Sequence, residues 1–299
     1  MNRIVQPELL DELPIDDPRA VHSRRDLRRV NAWMRNHAIM ANALRNQLNG
    51  RSSGRQTATF LPAGETSGSL PRAATPVLHI ADLGAGDGNF LLRVARVVSG
   101  NEAPFSDLAW HDSGETCRPG ARRPAASGGV RATLIDRQKN VTSRTLASFT
   151  PLGWRAESVA ADVFDWLPTA HGQEVIVANL FLHHLQNIQL AELFRAVAER
   201  ARLFVAIEPR RSPWTAFWCR WLWLIGCNSV TRHDAAISVR AGFSGQELSA
   251  LWPADPGWEL TERRTGFFSH LFVARKVSPL ECADMSALSK AATCRRSPK

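Results

Sequence analysis

The chain has 299 residues, of which 44% are apolar and 22% are charged. This length allows one large domain or two small ones, and the composition excludes wholesale disorder, a fibrous repeat and a coiled coil as the main architecture. The formal net charge is +9, but residues 1–56 and 276–299 carry +4 and +3 of it, so the body of the chain is nearly neutral. We therefore expect no nucleic-acid partner, because a surface that follows a phosphate backbone needs a basic body.

The five cysteines form no CxxC pair, which argues against a disulfide framework and against a cysteine-ligated zinc site. We expect no bound metal. The first residues contain no apolar signal-peptide core, and no run of eighteen apolar residues occurs. The expectation is a cytoplasmic protein in a reducing compartment, with no membrane span.

The first predicted element is a helix that begins at Asp17-Pro18, where a capping side chain precedes a proline. Apolar residues then recur at helical spacing from Leu27 to Leu48, which predicts one long amphipathic helix. Residues 1–56 are thus predicted to form an N-terminal helical extension, whose arginine-rich face is either solvated or a lid over a ligand site. Residues 57–76 are rich in Gly, Ser, Thr and Pro and predict a linker.

From Val77 onward, short apolar runs alternate with helical patterns, which is typical of βαβ units around a parallel sheet. The predicted strands are 77–83, 132–136, 158–161, 175–179 and 203–208. The predicted helices between them are 89–98, 139–149 and 190–200. Residues 100–129 interrupt this alternation with a Gly/Pro/Ser/Arg-rich segment, which predicts an inserted surface loop.

A tryptophan-rich stretch begins at Ser212-Pro213, and residues 212–235 are predicted to be a helical insertion. Its apolar residues lie on more than one side of a helix. They either pack in the core or shape a pocket or lid for an apolar substrate, and weak peripheral membrane contact is a third interpretation.

The end of the chain predicts a short helix and then a hairpin. Ser244 and Glu247 have the spacing of a capping box and predict a helix that reaches Trp252. The runs 258–264 and 268–275 predict an antiparallel β-hairpin, and residues 276–299 predict a disordered basic tail.

The most informative motif follows the first predicted strand and reads Asp82-Leu-Gly84-Ala-Gly86-Asp-Gly88. Glycines at a strand-to-helix turn allow tight backbone and let a ligand lie against the main chain, so a nucleotide-like ligand is indicated. The G-x-G-x-G spacing differs from the dinucleotide G-x-G-x-x-G fingerprint. An acid two residues before the first glycine would repel a phosphate but suits a cationic ammonium group.

This motif resembles the acid-x-Gly-x-Gly-x-Gly turn of the class I S-adenosylmethionine-dependent methyltransferases. The chain is similar to their small-molecule type, including ubiquinone/menaquinone-biosynthesis and natural-product methyltransferases, over about residues 77–275. The resemblance implies an α/β fold with a doubly wound, mostly parallel seven-stranded sheet and an antiparallel C-terminal hairpin. It also implies S-adenosyl-L-methionine as cofactor and a small, aromatic or apolar metabolite as substrate.

The resemblance assigns roles to residues at the ends of four predicted strands. In the first turn it implies cofactor contacts by Asp82, Gly84, Ala85, Gly86 and Gly88. It implies that Asp136, with Arg137, takes the ribose hydroxyls and that Asp162, with Val163, binds the adenine amino group. Asn179 and Leu180 would border the methionine portion. One departure is the 54 residues from Asp82 to Asp136, where a single βαβ unit needs about 30; the 100–129 insertion accounts for the difference.

Three histidines are candidates for a general base. His183 and His184 follow the fourth strand, and because they are adjacent at most one of them is expected to face a substrate. His233-Asp234 is a second candidate acid–base pair. Each histidine is alternatively a structural or exposed residue. Methyl transfer from a sulfonium consumes charge and needs no metal, so a base would add to alignment of the reactants.

The sequence bears on four rival functions. Methyltransferases that act on base amino groups usually carry an Asp/Asn-Pro-Pro-aromatic run where this chain reads Asn179-Leu-Phe-Leu. A nicotinamide oxidoreductase predicts the other glycine spacing. A methyltransferase acting on RNA or protein, or a non-catalytic S-adenosylmethionine-binding protein, stays open as an alternative, and the oligomeric state is not readable from the sequence.

Overall fold

The computed structural model describes residues 2–14, 16–53, 77–100, 129–170, 172–219 and 221–277. The predicted linker, nearly all of the 100–129 loop and most of the 276–299 tail lie outside the described residues. The strands are β1 Leu78–Leu83, β2 Val130–Asp136, β3 Trp154–Ala160, β4 Val175–Asn179, β5 Leu203–Pro209, β6 Trp258–Thr265 and β7 Ser269–Lys276. The helices are α1 Leu9–Glu12, α2 Pro18–Met34, α3 Asn36–Ser53, α4 Asn89–Val98, α5 Ser143–Ala147, α6 Val163–Trp166, α7 Asn187–Arg200, α8 Pro213–Cys219 and α9 Ser229–Ala241.

The seven strands form one sheet in the order β3-β2-β1-β4-β5-β7-β6. The first five are parallel, and β7 lies antiparallel between β5 and β6. The doubly wound, mostly parallel sheet with a C-terminal antiparallel hairpin is therefore confirmed. Because β1 to β5 are parallel, their carboxyl ends lie along one edge of the sheet, where ligands bind in folds of this kind.

The sheet is covered on both faces, which explains why the central strands are almost wholly apolar. One face packs against α7, through Leu190, Leu193, Phe194 and Val197. The other face packs against α3 and α4, with Met40, Ala41 and Leu44 of α3 inside the core. The N-terminal extension thus supplies part of the main hydrophobic core.

The single long N-terminal helix was a wrong prediction. The chain breaks at Arg35, which has a left-handed conformation with φ 57°, and this separates α2 from α3. The cause is tertiary: the next residue, Asn36, is fully buried and forms hydrogen bonds to the sheet. The predicted start is confirmed, because Asp17 accepts a hydrogen bond from the Arg19 N–H and Pro18 is the first helical residue.

The tryptophan-rich segment also differs from the predicted continuous helix. α8 ends at Cys219, a 3₁₀ turn covers Leu222–Ile225, and Gly226 ends it in a left-handed conformation. The interpretation of this segment as core packing is wrong for most of its large side chains. The exposed set, here called the aromatic surface, is Trp214, Phe217, Trp218, Trp221, Trp223, Leu224 and Ile225.

Smaller differences have local reasons. β3 begins at Trp154, four residues before the predicted start at 158. α5 is shorter than the predicted helix 139–149, and a 3₁₀ turn containing Pro151 follows it. Only a 3₁₀ turn at Ser249–Leu251 forms where the capping box predicted a helix, and the Leu248 and Ser249 N–H groups donate to the Glu262 carboxylate there. Among the described residues, no helix is long and apolar enough to cross a bilayer.

Candidate functional site

The glycine turn after β1 lies at the carboxyl edge of the sheet and is fixed to the end of β2. Gly84, Gly86 and Gly88 have φ of 69°, 57° and 75°, a region that other residues adopt only with strain. The Gly86 N–H donates to Asp136 Oδ2 at 2.8 Å, and the Ala85 N–H donates to the Ile135 carbonyl at 2.9 Å. The turn and Asp136 therefore form one hydrogen-bonded unit.

Gly84 is also required by space. A Cβ atom at this position would lie 2.4 Å from Cδ2 of Phe181, in the loop after β4. A Cβ at Gly86 would meet no atom within 4 Å. The first glycine thus lets the β4 loop approach the turn, whereas the second faces open space.

Asp82 lies near the end of β1, buried beneath the turn, and is 1% exposed. Its Oδ2 has no hydrogen-bond partner among the described residues. Burial, together with the neighbouring charge of Asp136, raises the pKa of Asp82 to about 8. A buried acceptor in this condition would be stabilised by a cation or a hydrogen-bond donor.

Asp136 and Asp162 lie at the ends of adjacent strands. Asp136 Oδ1 accepts from the Gln138 N–H at 2.8 Å, so each of its oxygens holds one backbone donor and keeps capacity for another. Asp162 caps α6 by accepting from the Phe164 N–H at 2.9 Å, and its Oδ2 lies 3.8 Å from Nε of the exposed Arg137. Val163 is buried in the core behind them.

The N-terminal helices contact this edge directly. Arg28 of α2 donates to Asp87 Oδ2, within the glycine turn, at 2.8 Å. Asn36 donates through Nδ2 to Asn179 Oδ1 at 3.0 Å and accepts from Ser269 Oγ at 2.7 Å. The helices thus lie against the glycine turn and the end of β4.

Backbone strain marks the residue after Asn179. Leu180 has φ 53°, and its N–H donates to the Ile207 carbonyl at 2.9 Å. A left-handed conformation costs a non-glycine residue roughly 1–2 kcal/mol. Such strain concentrates at functional sites. Here the left-handed conformation of Leu180 turns the chain from β4 toward Phe181 and Gly84.

His183 lies inside the protein, between two carboxylates. Its Nδ1 is 2.8 Å from Glu208 Oε2, and its Nε2 is 3.3 Å from Glu8 Oε1. Burial alone would lower the pKa of His183, but the hydrogen bonds to Glu208 and Glu8 outweigh it and raise the pKa to about 9. With both nitrogens facing carboxylates, His183 has no nitrogen directed at a substrate in this arrangement.

The other two histidines have different surroundings. His184 Nδ1 lies 3.5 Å from Asp11 Oδ2, and burial with the charge of His183 lowers the pKa of His184 to about 4. The His233 side chain is half exposed on α9, where its Nδ1 contacts Asp234 Oδ1 at 3.0 Å. Asp234 also accepts from the Leu9 and Leu10 N–H groups at the start of α1.

Two buried acids at this site were missed by the sequence analysis. Glu208, at the end of β5, accepts from the Phe181 and Leu182 N–H groups at 3.0 and 2.8 Å as well as from His183. An acid that ends an apolar run was a usable signal, the same one that identified Asp136. Glu8 carries no such signal, because its partners His183 and Ser238 are distant in sequence.

Comparisons with known proteins give a fold but no sequence relative: no family model and no curated protein matches the chain. The chain is similar to the plantazolicin methyltransferase BpumL, solved in complex with SAH, with a TM-score of 0.53 and 11% identity over 88% of this chain and 92% of that one. An O-methyltransferase family protein from Burkholderia thailandensis matches with a TM-score of 0.43 and 12% identity, over 68% of this chain and 52% of that one.

The similarity to BpumL supports a shared fold, because its TM-score is above 0.5 and it spans nearly the whole of both chains. It agrees with the observed strand order and with the antiparallel pair at the end of the sheet. The chain therefore has the Rossmann-like methyltransferase fold.

Proposed function

We propose that the chain is an S-adenosylmethionine-dependent methyltransferase that acts on a small, aromatic or apolar metabolite. The observation that carries this proposal is the unpaired Oδ2 of buried Asp82 beneath a three-glycine turn. The ammonium of an amino-acid-bearing adenosine would supply the missing donor and would favour the ionised carboxylate. The solved structure of similar fold contains SAH, which agrees with this cofactor class.

The other acids fit the same cofactor. Asp136 would accept the ribose hydroxyls through the acceptor capacity left beside its bonds to Gly86 and Gln138. Asp162 would accept from the adenine amino group through the oxygen that does not cap α6. Ala85 and Asn179 lie at the ends of β1 and β4, where the methionine portion would pass.

The chain's own contribution is alignment and exclusion of water. When bound, S-adenosylmethionine supplies an electrophilic methyl group on a sulfonium. The contacts of Arg28 with Asp87 and of Asn36 with Asn179 would hold α2 and α3 against the cofactor edge. Correct orientation of two reactants lowers a barrier by roughly 7–11 kcal/mol, which is enough for an activated acceptor.

Of the three histidines, we propose His233 as a base, because the surroundings of the other two disfavour that role. Both nitrogens of His183 face carboxylates, and the lowered pKa makes His184 a weak proton acceptor. His233 is half exposed, and Asp234 orients its Nδ1 so that Nε2 points away from that carboxylate. We include it as the proposed base for acceptors that must lose a proton.

The aromatic surface supports the proposed acceptor class. It begins in α8, four residues after the carboxyl end of β5. Trp33 and Phe268 add a second aromatic contact beside the carboxyl edge of the sheet, with ring centroids 4.9 Å apart. Exposed aromatic side chains suit an apolar or aromatic acceptor.

The cofactor is tested by calorimetric titration of the whole protein with S-adenosylmethionine and with NADH. We expect binding of the first, weakened about tenfold or more in Asp82→Asn, because a hydrogen bond to a charged group contributes about 1.5–3 kcal/mol. Asp165→Asn is the matched control, since Asp165 is an exposed acid on α6. A preference for NADH, or no binding by the unmutated protein, would refute the proposal.

The acceptor is tested with methyl-labelled S-adenosylmethionine and fractionated cell metabolites. Label is expected in organic-soluble products, and His233→Asn is expected to lower kcat without weakening cofactor binding. Label found only in RNA or protein would favour the macromolecular alternative. Cofactor binding without any transfer would favour a non-catalytic binding protein.

A further inference from the structure

The N-terminal segment and the loop after β4 bring three potential metal ligands together. One ligand atom each from Glu8, His183 and His184 lie within 4.8 Å of one another, and both Glu8 and His183 are buried. Imidazole nitrogens and carboxylate oxygens are ordinary zinc ligands. We propose that Glu8, His183 and His184 bind a divalent metal ion of the zinc type.

The distance between the first two ligands fits a shared ion. His183 Nε2 lies 3.3 Å from Glu8 Oε1, whereas a charge-assisted hydrogen bond would bring these atoms to about 2.7–2.9 Å. Two ligand atoms bound at 2.0–2.1 Å to a tetrahedral ion lie about 3.3–3.4 Å apart. The pair is therefore spaced as co-ligands, and His184 offers a third ligand atom within 4.8 Å of both.

The residues behind these ligands have the arrangement that supports a metal-bound histidine. Glu208 Oε2 contacts His183 Nδ1 at 2.8 Å, which turns Nε2 toward Glu8. A carboxylate on the far nitrogen commonly fixes the ring of a metal-bound histidine. Glu208 is itself held by the backbone N–H groups of Phe181 and Leu182, so the ring orientation is set before an ion arrives.

The local charge also favours a cation. Glu8 and Glu208 are both nearly inaccessible to solvent, and Asp11 Oδ2 lies 3.5 Å from His184 Nδ1. Three carboxylates around two imidazoles concentrate negative charge, which a divalent ion offsets. The ion would fasten the segment around α1 to the β4 loop, beside the candidate active site.

The test uses the whole protein, prepared without a histidine tag. We expect elemental analysis to find one zinc ion per chain. After stripping with a chelator, the protein should take up Co²⁺ with the visible absorption bands of tetrahedral coordination. Glu8→Gln and His184→Gln should each weaken zinc binding at least about tenfold. His22→Gln is the matched control, because it removes an exposed imidazole that lies 3.7 Å from a different acid, Asp26, and should leave zinc affinity unchanged.

Two outcomes would overturn the proposal: the stripped unmutated protein takes up no zinc or cobalt, or His184→Gln binds zinc as tightly as the unmutated protein. The cobalt spectrum needs no variant, so the proposal stays falsifiable even if a substitution prevents folding. Titration with S-adenosylmethionine is a separate measurement. Its failure would refute the proposed function without touching the metal site.

Discussion

Asp82 is a buried carboxyl group with one unpaired oxygen, so its ionisation affects stability. Its folded-state pKa of about 8 lies above the ordinary value of 3.8. Between these values the unfolded chain is ionised and the folded protein keeps the proton, so the contribution of Asp82 to stability falls as pH rises.

We expect Asp82→Asn to gain stability relative to the unmutated protein between pH 5 and pH 8. The amide has the shape of the protonated acid and never ionises, so the variant avoids the cost of burying a charge. Urea unfolding of both proteins without cofactor at the two pH values measures the difference. A difference that shrinks toward pH 8 would contradict the assigned environment of Asp82.

Gly84→Ala tests the close approach between the turn and the β4 loop. Gly84 combines a φ of 69° with a 2.4 Å contact between an added Cβ and Phe181. Gly153→Ala, at the start of β3, has a φ of 79° and nothing within 4 Å, so it isolates the cost of the backbone conformation. We expect a loss of roughly 1–2 kcal/mol for Gly153→Ala and a larger loss for Gly84→Ala, measured by denaturant unfolding.

Cofactor binding separates the two glycine variants further. Gly84→Ala is expected to abolish S-adenosylmethionine binding, because the β4 loop must move away from the turn. Gly153→Ala should bind normally. Equal stability losses in the two variants would contradict this prediction, because they would show that Phe181 moves aside with no loss in the free energy of unfolding.

At the residue scale, the placement of the glycine turn, Asp136 and Asp162 at the ends of strands was predictable, because each ends or follows an apolar run. Their contacts with a cofactor stay predictions. Glu8 was not, because its contact with His183 joins residues 175 positions apart. The same long-range contact makes His183 a poor candidate for a base, because both of its nitrogens face carboxylates, and the sequence could not predict this.

At the scale of elements, α3 is the clearest case of a segment whose role only the packing reveals. Its residues Met40, Ala41 and Leu44 lie in the same cluster as strand residues Ile80 and Val177. The helix therefore belongs to the core of the domain.

We expect Leu44→Ala to cost about 2–5 kcal/mol in the free energy of unfolding, the usual range for a buried leucine. Leu44 is 1% exposed. Val21→Ala on α2, which is 38% exposed, is the control and should change stability by less than about 0.5 kcal/mol. Thermal or urea unfolding measures both. A small effect at Leu44 would mean that the N-terminal helices detach from the sheet.

Elements with strong periodicity were predictable within a few residues, as α4, α7 and the hairpin show. The break at Arg35 was not, because the apolar spacing continues across it and its cause is the pairing of Asn36 with β4 and β7. The turn after α8 was not predictable either, because the apolar run continues across it. Periodicity indicates where a helix can form, and tertiary hydrogen bonds decide where it stops.

At the scale of the whole molecule, the aromatic residues fall into two groups, one packed in the core and one exposed at the surface. Trp252 packs among Phe194, Phe204, Trp258 and Phe272 in the core. The aromatic surface instead meets solvent, and the sequence could not distinguish the two because both are apolar runs.

We expect Trp214→Ser, Trp218→Ser and Trp223→Ser, singly, to change stability by less than about 0.5 kcal/mol each. Trp252→Ala should cost about 3–5 kcal/mol. Unfolding curves give both numbers, and binding of a hydrophobic dye should fall in the triple surface variant. A large stability loss in the surface variants would place those side chains in the core after all.

The exposed aromatic surface has an optical consequence. The chain contains ten tryptophans and no tyrosine. Of the tryptophans that the structure describes, five are solvent-exposed: Trp33, Trp214, Trp218, Trp221 and Trp223. Ultraviolet emission from the native protein therefore comes from indole alone, with a large share from rings in contact with water. An apolar compound that settles over these rings would shift their emission to shorter wavelengths, so a library of unlabelled acceptors can be screened by the protein's own fluorescence.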